Sequence, residues 1–176
     1  MNTAVMFAKA SDEWETPADL FADLNLEFNF DIDVAATFHT AKTRISINGR
    51  EGVCYFGPDH ADPSRRDALT NEWGHGAAWM NPPYSRVREF IAKAAAEARK
   101  GCTVVCLVPS RTDTHWWASF VWHTDTHHPR RGVEVRFLRG RLRFVGAKHS
   151  APFPSVVLVF MPMLPLTQEK HDAAKP

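Results

Sequence analysis

Apolar and polar residues alternate from Phe28 to Val34, with Asn29, Asp31 and Asp33 between Phe28, Phe30, Ile32 and Val34. That period of two predicts a first strand. Upstream, Leu20, Phe21 and Leu24 recur at helical spacing behind Thr16-Pro17. The spacing predicts a short amphipathic helix with Thr16 as its N-cap and Pro17 in its first turn. Ile45 and Ile47, or Val53 to Phe56, supply a second strand. Ala77 to Met80 and Cys102 to Val108 are continuous apolar runs, as expected of strands buried on both faces. Between them, Val87, Phe90, Ile91, Ala94, Ala95 and Ala98 form one apolar face. This predicts a helix over 85–100, capped by Ser85 and stopped by Gly101. Residues 115–122 predict an aromatic-rich helix with Trp117, Phe120 and Val121 in the core and Trp116 freer. Val133 to Leu138 and Leu142 to Val145 predict a hairpin or bent strand, and Ser155 to Met161 a last strand. Strand, crossover helix and strand in succession make a βαβ unit. The expected class is therefore α/β, with a mostly parallel sheet and an antiparallel C-terminal strand pair.

A chain of 176 residues, 44% hydrophobic, has enough apolar material for a single core. The expected division is a loose N-terminus over 1–11, one domain over 12–164 and a flexible tail over 165–176. A net charge of +1 says nothing about partners. Its distribution says more. Eight carboxylates and no lysine or arginine lie between Lys9 and Lys42, whereas six arginines and one lysine face Glu134 alone between Arg130 and Lys148. One basic face is expected. Cys54, Cys102 and Cys106 are an odd count without a signal-peptide pattern, so a reduced, cytoplasmic protein is expected. No apolar run approaches the ~20 residues of a membrane span. Cys102 and Cys106 match no zinc spacing; His123, His127 and His128 could suggest a metal, but without nearby carboxylate or thiolate partners no metal is expected.

The most informative stretch is Trp79-Met80-Asn81-Pro82-Pro83-Tyr84. Two prolines cannot continue a sheet ladder, so the strand must end there in a stiff turn. The turn carries an amide (Asn81), a carbonyl (Pro82) and a flat ring (Tyr84). Two acceptors suit the hydrogens of an –NH₂ group, and the ring can stack on a planar base. The exocyclic amine of a nucleobase is a poor nucleophile because its lone pair is delocalised. Acceptors aimed at its hydrogens pull the nitrogen toward tetrahedral geometry and free that lone pair for attack on a methyl donor. A proline strand terminator beside a surface tyrosine would account for the same letters.

Other segments fall beyond the carboxyl ends of predicted strands, where open α/β sheets bind ligands. Asp33, followed by the small residues Ala35 and Ala36, is a candidate for the amino-acid or ribose end of a methyl donor. A turn-capping role fits it equally well. Asp67 could accept from an adenine amino group of such a donor. Pro109 to Asp113 lies on the same rim, and the Gly57–Arg66 loop is long and polar. Arg111, Arg139, Arg141 and Arg143 suit phosphates or base edges, and a solvated edge that discourages aggregation is the plainer account of any one of them.

Taken in order, Trp14…Thr16-Pro17, Phe30…Asp33-Val34-Ala35-Ala36, Asp67-Ala68-Leu69, Trp73, Asn81-Pro82-Pro83-Tyr84, Val108-Pro109…Thr112-Asp113-Thr114…Trp117 and Gly140-Arg141-Leu142…Phe144 resemble the phage-type DNA N6-adenine methyltransferase (Dam-like) family. The resemblance spans residues 12–162. It implies a Rossmann-like fold, S-adenosylmethionine as donor and adenine N6 in double-stranded DNA as acceptor. It further implies that Asn81, Pro82, Pro83 and Tyr84 hold a flipped adenine. Trp14, Thr16, Pro17, Asp33, Ala35 and Asp67 would line the donor pocket. Where the family often has Asn-Ala-Lys, this chain has Thr40-Ala41-Lys42. The same tetrapeptide occurs in methyltransferases of cytosine N4, RNA guanine and protein glutamine. A catalytically idle DNA-binding accessory protein is the rival of another class. Phage or prophage origin, a bacterial host cytoplasm, and a monomer or homodimer complete the expectations.

Overall fold

The computed structural model describes residues 14–47 and 50–163, so the expected loose ends at 1–11 and 165–176 lie outside the described residues. The main sheet has five strands: β1 (Ile32–Asp33), β4 (Ala77–Met80), β5 (Thr103–Pro109), β9 (Ser155–Phe160) and β8 (Val133–Phe137), hydrogen-bonded in that order. β1, β4 and β5 pair in parallel, β9 runs against β5, and β8 runs against β9. The sheet is thus mostly parallel with an antiparallel β8–β9 pair. Beyond β1, Tyr55 bridges in parallel to Asp33. A hairpin of β2 (Arg44–Ile47) and β3 (Arg50–Val53) precedes that bridge, and β6 (Trp122–His123) pairs with β7 (His128–Pro129).

Both sheet faces are covered, which is why the strands read as unbroken apolar runs. On one face, α2 (Val87–Arg99) and α3 (His115–Phe120) cover Ile32, Ala78, Met80, Val104, Cys106 and Leu158. On the other, α1 (Ala18–Phe28) and the β8–β9 connection cover Phe30, Trp79, Val105, Leu107 and Val157. Ile91, Val104, Leu107 and Leu158 have no exposed surface, and burial of such side chains contributes about 1.5–3 kcal/mol each.

Several expectations need correction. Phe28 ends α1 rather than starting a strand, because Leu20, Leu24 and Phe28 also recur at i, i+4. Asn29 closes that helix in the left-handed region (φ 51°), its N–H on the Asn25 carbonyl, and β1 begins only at Ile32. Thr16 is not the N-cap. Pro17 holds that position without a side-chain bond, its carbonyl accepting the Phe21 N–H at 3.1 Å. Before α2, a 3₁₀ turn over Tyr84–Arg86 intervenes, and Arg86, not Ser85, is the N-cap. Trp116 is buried beside Trp117.

Residues 142–145 form no strand. Gly140 and Gly146 (φ 78° and 75°) turn the chain, and Phe144, Ala151 and Phe153 draw the connection down onto the α1 face. Apolar residues that suggested a strand act there as anchors.

Glu97, on the apolar face of α2, is 1% exposed. It accepts the Trp73 N–H at 3.0 Å and meets Lys93 at 2.8 Å and Lys100 at 3.1 Å. Burial pushes its carboxyl up, but these partners outweigh that and hold it below the usual range.

Candidate active site

Adjacent parallel strands bring two polar residues to one rim. β1 and β4 pair Asp33 with Trp79, so the carboxyl end of β1 stands beside Asn81, the residue after β4. A cavity of ≈ 340 Å³ opens there, lined by segments 14–16, 33–37, 56–58 and 66–68 and by Thr40, Lys42, Trp79, Asn81, Pro83, Arg86 and Phe90.

Asp33 is 2% exposed. Its carboxylate accepts the Ala35 N–H at 3.3 Å and the Lys42 N–H at 3.1 Å, so it also ties down the loop after β1. Burial pushes its pKa up to about 7, against the lowering pull of those N–H groups and the Lys42 charge. Across that loop, Thr40 Oγ1 accepts the Thr37 N–H at 2.9 Å, and the two hydroxyls lie 3.0 Å apart.

The opposite wall is the strap Trp14-Glu15-Thr16. The Asn81 side-chain N–H₂ donates to the Trp14 carbonyl and to Thr16 Oγ1, the latter at 3.1 Å. Asn81 Oδ1 accepts from the Tyr84 hydroxyl at a long 3.5 Å. Glu15 pairs with Lys42 at 2.6 Å, closing the wall toward Asp33.

Gly57 is a requirement of close approach. A Cβ there would sit 1.7 Å from the Ala36 carbonyl oxygen. The register keeping it there runs from Phe56 N–H to the Asp33 carbonyl (2.9 Å) and from Ala36 N–H to the Phe56 carbonyl (3.2 Å).

Of the residues singled out from sequence, Trp14, Thr16, Asp33, Ala35, Asp67, Asn81 and Pro83 line the cavity; Pro17, Pro82 and Tyr84 do not. Asp67 is exposed and accepts the Leu69 N–H at 3.0 Å. The Tyr84 ring lies nearly parallel to Trp14 (6.5 Å, 18°) and edge-on to Phe153 (5.3 Å), and burial raises its phenol pKa. Arg111 is exposed beyond β5, 3.4 Å from Asp113. Arg139, Arg141 and Arg143 are exposed on the β8–β9 connection. Arg136 is engaged by Glu27 at 2.6 Å and Glu134 at 2.7 Å, joining the acidic and basic segments.

Glu15, Thr37, Gly57, Arg66, Arg86 and Phe90 escaped sequence reasoning. Each takes its place through tertiary contact, and only the run of small residues after Asp33 hinted at a close approach. His123 and His128 lie ring to ring at 5.3 Å. Among the described residues, no group of three or more histidine, cysteine or acidic side chains could hold a metal ion, and no helix is long and apolar enough to cross a membrane.

Residues 59–168 match the family model described as DNA N-6-adenine-methyltransferase (Dam). The chain is 29% identical over 109 residues to a DNA N-6-adenine-methyltransferase of Haemophilus phage HP1, covering 60% of this chain and 54% of that protein. It is 26% identical over 147 residues to a DNA N-6-adenine-methyltransferase of Escherichia phage T1, covering 78% of this chain and 55% of that protein. The chain spans about half the length of these curated relatives. The family match takes in Asp67, the Asn81–Tyr84 corner and the arginine-bearing connection, and leaves the strap and β1 outside it.

Proposed function

The chain belongs to the DNA N-6-adenine-methyltransferase (Dam) family, and from that premise we propose that it methylates the exocyclic N6 of adenine in double-stranded DNA, with S-adenosylmethionine as donor. The observation that carries this reading is that Asn81 and Asp33, brought to one rim by neighbouring parallel strands, line the same cavity. A Rossmann-like frame, phage or prophage origin and action in a bacterial host belong to the same proposal.

The residues present fit the donor. The cavity combines a buried carboxylate (Asp33), apolar surfaces (Phe56, Phe90), hydroxyls (Thr37, Thr40) and backbone approached closely at Gly57. These suit a ligand with an ammonium group, a flat base and ribose hydroxyls. When bound, the donor supplies an electrophilic methyl group on a sulfonium.

The protein's part is to bind, orient and stabilise. Asp33 faces the cationic end of the donor, with Trp14, Thr16, Ala35 and Asp67 around the rest and Pro17 stiffening the backbone beside Thr16. Adenine must leave the duplex, at a cost of a few kcal/mol. Tyr84 stacks on the extruded base, while Asn81 Oδ1 and the Pro82 carbonyl accept the N6 hydrogens and Pro83 stiffens the corner. The amine's lone pair is thereby freed, and no strong base is required. Arg111, Arg139, Arg141 and Arg143 meet the phosphates. A monomer or homodimer would serve.

The test is transfer of labelled methyl from S-adenosylmethionine to duplex DNA, followed by nucleoside analysis. N6-methyladenine is the expected product. Label in N4-methylcytosine, in RNA guanine or in protein glutamine would reassign the acceptor. Failure to bind the donor in calorimetry would leave an idle DNA-binding protein.

A further inference from the structure

An amide side chain has two unlike ends, and only its oxygen can accept from an amine. The end of Asn81 that faces the cavity therefore decides whether the side chain aids an incoming –NH₂ group or repels it. We propose, resting on the amine-methylating reading above, that Thr16 is a positioning residue which, together with the Trp14 carbonyl, locks the Asn81 amide with its oxygen toward the acceptor.

Asn81 Nδ2 has two hydrogens, and two acceptors take them: the Trp14 carbonyl and Thr16 Oγ1 at 3.1 Å. A flipped amide would turn its oxygen onto the Trp14 carbonyl, acceptor against acceptor, and would give up that bond, so the carbonyl sets which way the amide points and the Thr16 hydroxyl, able to answer either end, holds it there. Thr16 is 2% exposed, so water has little room to stand in for its hydroxyl.

The strap carrying these acceptors is held from outside the cavity. The Glu15 carbonyl accepts the Val145 N–H at 3.0 Å, the Glu15 carboxylate pairs with Lys42 at 2.6 Å, and the Trp14 ring packs on Phe144 (5.0 Å) and Phe153 (6.1 Å). Pro17 fixes the backbone next to Thr16 at φ −54°. The lock is thus set before any ligand arrives, as preorganisation requires. It gives Thr16 a duty apart from touching the donor.

Two readouts on the full chain test this. The first is the side-chain ¹⁵NH₂ signal of Asn81, assigned by its loss in Asn81→Asp. In the native protein both protons should exchange slowly with solvent. Thr16→Val should speed one of them severalfold, and Thr16→Ser should restore it. The second is single-turnover methyl transfer beside donor affinity. Thr16→Val should slow transfer at saturating donor roughly tenfold, the scale of one lost hydrogen bond, a larger change than in donor Kd; Thr16→Ser should recover the rate.

Unchanged Asn81 exchange in Thr16→Val overturns the lock whatever the activity. So does a rate loss matched by equal loss of donor affinity, which would make Thr16 a donor contact only. If the native protein transfers no methyl group to DNA while the Asn81 signals respond as expected, the assigned activity fails and the amide lock stands.

Discussion

The backbone N–H of Val145 donates to the carbonyl of Glu15 at 3.0 Å. This bond joins the strap that walls the cavity to the connection that carries Arg139, Arg141 and Arg143. Trp14 reinforces the joint by packing on Phe144 and Phe153 from that connection while lying parallel to Tyr84 of the proline corner. Cavity wall, proline corner and arginine-bearing connection therefore meet in one aromatic cluster.

Phe144 is the anchor of that cluster, 2% exposed and in contact with Trp14 and Tyr84. Phe144→Ala should cost about 3–5 kcal/mol of stability, the range for emptying a buried aromatic site. Chemical denaturation measures it. A loss below about 1 kcal/mol would show that the connection does not depend on this ring.

Asn81→Ala removes the side-chain acceptor and leaves the strand end and the Pro82 carbonyl in place. Single-turnover methyl transfer should fall on the order of 10²-fold, the scale of one preorganised polar contact to a transition state. Donor affinity should change little. Native turnover in this variant would remove Asn81 from the amine-holding role.

Asp33 gives a pH dependence with a definite sign. Its native pKa of about 7 lies above the 3.8 of a free side chain, so the folded state holds the proton more tightly than the unfolded one. The associated stability is complete below about pH 4 and is lost as pH rises through about 7, about 4 kcal/mol in all. A cationic donor favours the opposite form, the carboxylate. Donor affinity should thus increase from pH 6 to pH 8, with protons released on binding near neutrality. Calorimetry in buffers of different ionisation heat reads both. A Kd flat across that range would separate Asp33 from the donor's charge.

Gly57→Ala forces a methyl group to within 1.7 Å of the Ala36 carbonyl oxygen, unless the backbone shifts. Both segments line the cavity, so the shift reshapes it. The expected outcome is donor binding weakened at least tenfold with a lowered Tm. Binding calorimetry and thermal melting check it, and native affinity would mean that the 56–58 segment lies clear of the ligand.

How much of this was legible beforehand follows from the range of each interaction. β4, α2, β5 and β9 were readable because their burial is uniform along a strand or periodic along a helix. The proline corner was readable because two prolines admit few backbone outcomes. Phe28 was misplaced because a strand alternation and a helix stripe share that residue, and contacts distant in sequence decide between them. Thr16 looked like a cap because caps are local, whereas its hydroxyl serves Asn81. Glu97 meets Lys93 and Lys100 at local helical spacing, but its burial and its bond to the Trp73 N–H depend on a segment 24 residues away and could not be seen until the two were brought together.

The basic residues of the β8–β9 stretch divide by partner. Arg136 is occupied by Glu27 and Glu134, and Arg130 donates to the Ala118 carbonyl at 2.6 and 3.0 Å, so neither is open to a phosphate. Arg139 and Arg141 are exposed, on a loop whose framework is anchored by Phe144. Each phosphate contact releases condensed counterions, so log affinity falls linearly with log salt, with a slope set by the number of contacts. Arg139→Ala and Arg141→Ala should each weaken binding to duplexes of any sequence and reduce the salt slope by about 1. Arg136→Ala should leave the slope as it was and lower stability instead, through loss of its two carboxylate partners. Anisotropy titrations from 50 to 200 mM salt, a span over which such contacts change affinity steeply, separate the cases. An unchanged slope for Arg139→Ala and Arg141→Ala would take this loop out of the DNA interface and move the search to Arg111 beyond β5.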